Sequence, residues 1–220
     1  MSMAFWVTSR PTSRCMVSTP STITRRGFCS GGSIGSSPSI RFSNRITSAR
    51  WHDTIGPLYY SNRSTFDGFG RKLRWVLPRR TIGELRGLPE DQWDLIGQTI
   101  VVYLLFPNTV LVMAQDHLQT WHLFPAGNGV DETRMYVSMY TPEPASTDSA
   151  RRHWNNNFDL TMPTVENQDF PVSEGIQRGF YSGAQDDIVF GRNEPGLQHY
   201  HQAIKSALAQ CPGLGPRGNK

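Results

Sequence analysis

Residues 98–124 read QTIVVYLLFPNTVLVMAQDHLQTWHLF, and the class of the fold turns on them. Gln98 to Phe106 is a continuous apolar run rich in β-branched and aromatic residues, the pattern of a buried strand. Pro107-Asn108 is a turn signal. Thr109 to Gln115 is a second strand, and His117 to Phe124 alternates apolar with polar residues, as a strand with one wet face does. Ala126-Gly127-Asn128-Gly129 turns the chain again before Glu132 to Tyr140, which alternates in the same way. Connections this short join antiparallel neighbours. Four strands in meander order are therefore expected between Gln98 and Tyr140. Trp121, Phe124, Met135, Tyr136 and Met139 lie on them, about half facing inward.

On the N-terminal side, Thr81 to Leu85 reads as a short helix start, with Thr81 as N-cap and Glu84 three residues on. On the C-terminal side the period changes to helical. Ser146-Thr147-Asp148 offers caps. Trp154, Phe158 and Met162 then follow at i, i+4 and i+8, one face of a helix. Pro163 should kink or break it. A second helix is expected from about Thr164 to Tyr181, ended by Gly183. A third runs from Pro195 to Ala209, with Leu197, Ile204 and Leu208 as apolar anchors. The sum is α+β: one curved antiparallel sheet with helices on one side.

The chain has 220 residues, room for one domain with a real core. Its three cysteines, Cys15, Cys29 and Cys211, exclude a disulfide scaffold and form no C-x-H or C-x-x-C pair. No run approaches eighteen apolar residues, so no membrane span is expected. The net charge of +4 is uneven: residues 1–50 hold seven Arg and no acid, while the remainder is slightly acidic. No basic stripe remains on the folded part, and no nucleic-acid partner is expected. The first fifty residues also hold twelve Ser and six Thr, with no apolar period, and read as disordered. Three readings of that segment stay open. It is a stretch foreign to the domain, from a mis-called start or a rearranged gene end; or an organellar transit peptide; or, through Thr24-Arg25-Arg26-Gly27-Phe28, an export signal without its apolar stretch. The globular domain is placed at 51–210, with 211–220 as a flexible tail.

Candidate chemistry begins with Val165-Glu166-Asn167-Gln168-Asp169-Phe170. Carboxylates three apart on an α-helix share a face. They mark either a solvated face or one arm of a metal site, since acids are seldom buried without a partner or a metal. The six histidines, His52, His117, His122, His153, His199 and His201, include no i, i+4 pair. His199 and His201, two apart on a helix, point apart. Phosphate-cradling glycine loops and the G-x-S-x-G nucleophile turn are absent.

One stretch carries more than spacing does. Thr164 to Ile204 reads TVENQDFPVSEGIQRGFYSGAQDDIVFGRNEPGLQHYHQAI. It resembles the C-terminal catalytic domain of Rieske-type aromatic-ring-hydroxylating oxygenase alpha subunits. Pro78-Arg79-Arg80, Pro89-Glu90-Asp91-Gln92-Trp93 and Leu105-Phe106-Pro107-Asn108-Thr109 extend the likeness, which covers about 54–205. The resemblance implies a helix-grip fold, a twisted antiparallel sheet wrapped around a long helix. It implies a mononuclear non-haem iron(II) held by two histidines and a carboxylate, with positions open for O2. The carboxylate falls on Asp169, with Glu166 as the alternative.

The departures are specific. The family's iron histidines form an H-x-x-x-x-H motif just before a D-T-I-G-P-L-Y-Y equivalent. Here His52 precedes Asp53-Thr54-Ile55-Gly56-Pro57, in the second histidine's place, and Thr47 stands five residues upstream. The cysteine–histidine pairs of a [2Fe–2S] cluster are not in this sequence. The expectation is a catalytic-domain fragment, inactive alone, that has lost its Rieske domain and one iron histidine. Its ancestral reaction is O2-dependent hydroxylation of an aromatic or other organic substrate, with electrons from a ferredoxin and reductase chain. The family points to a homo-oligomer and to the cytoplasm, or to an organelle if 1–50 is a transit peptide. Two further readings stand beside it: a non-enzymatic helix-grip module for a small hydrophobic ligand, and a gene remnant without function.

Overall fold

The computed structural model describes residues 18–28, 63–125, 132–142, 145–184 and 189–211. His52, the turn at 126–129 and the tail from 212 lie outside them, as does most of the N-terminal segment.

Among the described residues, seven strands form one antiparallel sheet: β1 (Ser18–Phe28), β2 (Thr65–Phe69), β3 (Lys72–Pro78), β4 (Thr99–Leu105), β5 (Thr109–Met113), β6 (Leu118–Pro125) and β7 (Glu132–Tyr140). Their order across the sheet is β1-β7-β6-β5-β4-β3-β2. From β2 to β7 the chain is a plain meander, and the four strands expected between Gln98 and Tyr140 are all there, antiparallel. The β2–β3 hairpin precedes them, with Gly70 at φ 59° in its turn. That conformation favours glycine because a Cβ would clash with the backbone.

Alternation sends every second side chain to one face. Leu73, Leu104, Val110, Trp121 and Val137 are directly paired across β3, β4, β5, β6 and β7, and each is at most 1% exposed. This row is the floor of the core. Met135 and Met139 face the same way, while Phe124 lies exposed on the other side.

Helices cover that face. α1 (Asp148–Thr164) begins at Thr147, whose hydroxyl accepts from the Ala150 amide at 3.1 Å, the expected cap. Phe158 and Met162 are buried against the sheet, with Trp154 half-buried beside them. Pro163 does not break the helix. The chain passes through one π turn (Val165–Asp169) and continues as α2 (Phe170–Tyr181). Pro171 sits in the first turn of α2, and Gly183, at φ 65°, follows its end. The expected pair of helices is thus one long helix. A proline costs one N–H and crowds the carbonyl four residues back, yet the helix runs on through Pro163; the π turn comes after it, just ahead of Pro171.

α3 (Pro195–Ala209) packs on β2 and β3. Leu197 and Tyr200 enter the core, and the Tyr200 hydroxyl donates to the Pro107 carbonyl at 2.8 Å, tying α3 to the β4–β5 turn. Ile204 packs against the core, but Leu208 is 43% exposed and anchors nothing. The helix start expected at Thr81 also differs. Residues 80–87 form a 3₁₀ helix without a side-chain cap, and Thr81 instead donates to the Gln98 side chain at 2.6 Å.

Ser18–Phe28 lie within the segment 1–50 and form β1. These pair with β7, with a register shift between Thr19 and Ile23 around Pro20. An edge strand needs only backbone hydrogen bonds on one side, so it leaves little apolar period in the sequence. A proline without N–H fits at such a shift.

Candidate functional site

The π turn is the irregular point of the long helix, and both carboxylates of the E-N-Q-D stretch stand on it. The Phe170 amide bonds to the Val165 carbonyl, the i→i+5 contact that widens the turn. π turns inserted in α-helices are frequent at functional sites. Val165 and Asp169, its first and last residues, are both buried. Three residues span less of a full circle in a π turn than in an α-helix. Glu166 and Asp169 therefore do not share a face as their spacing led us to expect: Asp169 is 8% exposed and Glu166 only half-buried.

Residues one turn to either side hold this segment. The Ser173 hydroxyl donates to the Asp169 carbonyl at 2.8 Å, and the Thr164 hydroxyl to the Leu160 carbonyl at 2.8 Å. Both side chains are buried, as is Gln177 one turn beyond Ser173. A row of buried polar residues, Asp169, Ser173 and Gln177, thus runs along a helix whose neighbouring face is apolar.

The described histidines are engaged elsewhere. His122 contacts the Thr109 hydroxyl at 3.0 Å. His199 contacts the Lys72 carbonyl at 3.2 Å and meets the Phe66 ring edge-on. The His201 ring lies 4.7 Å from that of Phe190. His117 and His153 both contact Asp116, at 2.8 and 2.7 Å. This last cluster was not legible in the sequence, because its two halves are 37 residues apart. Among the described residues, no three His, Cys, Asp or Glu side chains are grouped so as to hold a metal ion. Those residues therefore do not by themselves make the two-histidine, one-carboxylate iron site that the resemblance implies. Asp169, the position on which the resemblance places the carboxylate, is buried.

An antiparallel meander packed against a long helix is the helix-grip architecture. The family model for the ring-hydroxylating alpha subunit catalytic domain matches residues 43–210. The chain belongs to that family. The match begins at residue 43, ahead of the boundary expected at 51. No curated protein matches the sequence. Among solved structures, the chain is similar to the quaternary ammonium Rieske monooxygenase CntA. With an inhibitor-bound form the TM-score is 0.63 at 11% identity, covering 87% of this chain and 49% of that one. A form described for carnitine oxidation by gut microbiota and inter-subunit electron transfer gives 0.62 at 11% identity, covering 86% and 49%. At that identity the likeness is one of fold. The chain spans about half the length of these structures. No described helix is long and apolar enough to cross a membrane.

Proposed function

We propose that this chain is the catalytic-domain portion of a ring-hydroxylating oxygenase alpha subunit, and that Asp169 is the carboxylate through which it takes iron(II). The observation that carries the reading is Asp169 itself. It is a buried acid on the π turn of the gripped helix, inside a sequence stretch that matches the family. His52, in the place of the second family histidine, is the proposed imidazole partner, and Glu166 is the alternative acid. Iron in this class would supply activation of O2 for hydroxylation of an aromatic or other organic substrate. Electrons would come from a ferredoxin and reductase chain through a Rieske domain.

With Thr47 where a second histidine belongs, the proposed ligand set is incomplete. Loss of a ligand lowers affinity well below that of a full facial triad. The purified chain should therefore retain iron far below one equivalent after anaerobic loading and desalting. Asp169→Ala should abolish what remains, and Glu166→Ala should leave it. Metal analysis beside circular dichroism separates loss of the ligand from loss of the fold. Stoichiometric iron that survives Asp169→Ala would overturn the assignment, and iron released by Glu166→Ala alone would move it to Glu166.

A further inference from the structure

The connection from β3 to β4 holds an exposed apolar surface. Leu88, Trp93, Leu95 and Ile96 fall within nine residues and are all exposed, Ile96 at 69%. Exposed apolar residues scattered singly are ordinary, but a group of them marks an interaction surface. The loop is tied to itself. The Trp93 indole N–H donates to the Leu88 carbonyl at 3.0 Å, which fixes the ring against the start of the loop. The Gly97 amide donates to Asp94 Oδ1 at 2.9 Å, the Gln98 amide to the Asp94 carbonyl at 3.2 Å, and the Thr99 hydroxyl to the Leu95 carbonyl at 2.7 Å. The surface is therefore built before anything binds it. Between Leu88 and Ile96 stand Glu90, Asp91 and Asp94 and no base; Arg86, two residues ahead of Leu88, is the nearest.

The sheet register brings the start of the chain near that surface. Ser18 pairs with Tyr140, Tyr140 with Leu118, Leu118 with Met113 and Met113 with Val101. This row crosses the sheet at the end where β4 begins, and there the Thr99 amide bonds to the Ile96 carbonyl at 3.3 Å. The first residue of β1 and the 88–96 loop are thus at the same end of the sheet. From β1 to β4 is four strand spacings, about 19 Å. Seventeen residues precede Ser18, and Phe5-Trp6-Val7 lies at least eleven residues ahead of it. Eleven extended residues reach about 36 Å, more than enough. The chemistry is complementary as well. Residues 1–17 hold Arg10 and Arg14 and no acid, against a loop with three acids and no base.

We propose that residues 1–17 dock on the 88–96 loop of their own chain, with Phe5, Trp6 and Val7 on its apolar side chains and Arg10 and Arg14 facing Glu90 and Asp91. Asp94 keeps its bond to the Gly97 amide. Exposed charge pairs contribute little affinity, so the apolar contact holds the segment and the arginines set which way it lies. Little intrinsic affinity is needed, because two parts of one chain meet at an effective concentration in the millimolar range. The docked segment fastens the β1 edge of the sheet to the β3–β4 connection four strands away. It also covers apolar surface that would otherwise be open to other chains. The docking is independent of any metal at Asp169.

The test is amide hydrogen exchange on the whole chain and on a chain that begins at Ser18 and so keeps β1. The amides of Gly97, Gln98 and Thr99, whose bonds close the loop, should exchange about tenfold faster in the shorter chain. A synthetic peptide of residues 1–17, added in excess, should slow them again. Amides of β5, away from the loop, should exchange alike in both chains, which separates undocking from loss of the fold. In the whole chain, Arg10→Glu with Arg14→Glu should speed the loop amides about threefold, and adding Glu90→Arg with Asp91→Arg should restore them. Equal loop exchange in the two chains would overturn the docking. Loop protection that is lost on hundredfold dilution of the whole chain would overturn it too, and would assign the surface to a second copy. Reversed acids that restore nothing would overturn the pairing of the arginines with Glu90 and Asp91.

Discussion

His201 shows how a single residue's surroundings decide its effect on stability. It sits on α3 against Phe190, and its Nε2 is buried without a hydrogen-bond partner. Burial first, and the positive charge of Lys205 second, hold its imidazole below the ordinary range. Above that range the ring is neutral in both folded and unfolded chains and favours neither. As pH falls through about 6.5, the unfolded chain takes the proton first. Stability is then lost until the pH drops below the folded value. His201→Phe keeps a ring of similar shape and removes the titration. Between pH 7.5 and 5.5 the urea midpoint of the unaltered chain should therefore fall by more than that of the variant. Equal slopes would show that the ring is hydrated. Neither this environment nor the Asp116 cluster could be read in advance. The Asp116–His153 contact joins residues 37 apart, where the sequence shows only lone histidines. Asp169 was singled out for the opposite reason: its neighbours in sequence, E-N-Q-D-F, belong to the stretch that resembles the family.

Elements were legible where burial imposes a period. β4 was marked by a continuous apolar run and β6 and β7 by alternation, because each sends buried side chains to the core. The β2–β3 hairpin carries the same signal in Leu73 and Trp75, though the reading outward from residue 98 did not assign it. Pro163 misled because a proline costs one helical bond without forbidding a helix whose face is packed, and Phe158, Met162 and Val165 hold this one on the core. Packing of α3 on β3 is set by a residue whose role no period reveals. Gly196 lies at the second position of α3, and a Cβ there would run into the indole of Trp75. Trp75 is itself 3% exposed in the central core, so it has little room to give. Gly196→Ala should raise helix propensity slightly yet destabilise the protein by about 1–3 kcal/mol, as overpacking does. Chemical denaturation checks this. Partial rescue by Trp75→Phe would place the strain at that contact, whereas an unchanged midpoint would mean that α3 can slide.

At the scale of the molecule, the sheet has two ends of different origin. β2 closes one end within the stretch that matches the family, while β1 closes the other from residues 18–28, ahead of the match at 43–210. The family-matched part therefore has β7 as its outer strand, and a segment beyond it supplies the seventh. β7 is the longest strand of the meander at nine residues, and its inward side chains Met135, Val137 and Met139 belong to the central core. Without β1, its outward N–H and C=O groups would be open to pairing with another chain. A chain beginning at residue 43 should keep the meander and the long helix, because the core row from Leu73 to Val137 lies wholly within it. It should show faster amide exchange along β7 and self-associate with rising concentration, as sedimentation would record. Adding the 18–28 peptide in excess should reverse both effects by restoring the missing edge. If the shortened chain stays monomeric with β7 protected as before, the edge is closed by something other than β1.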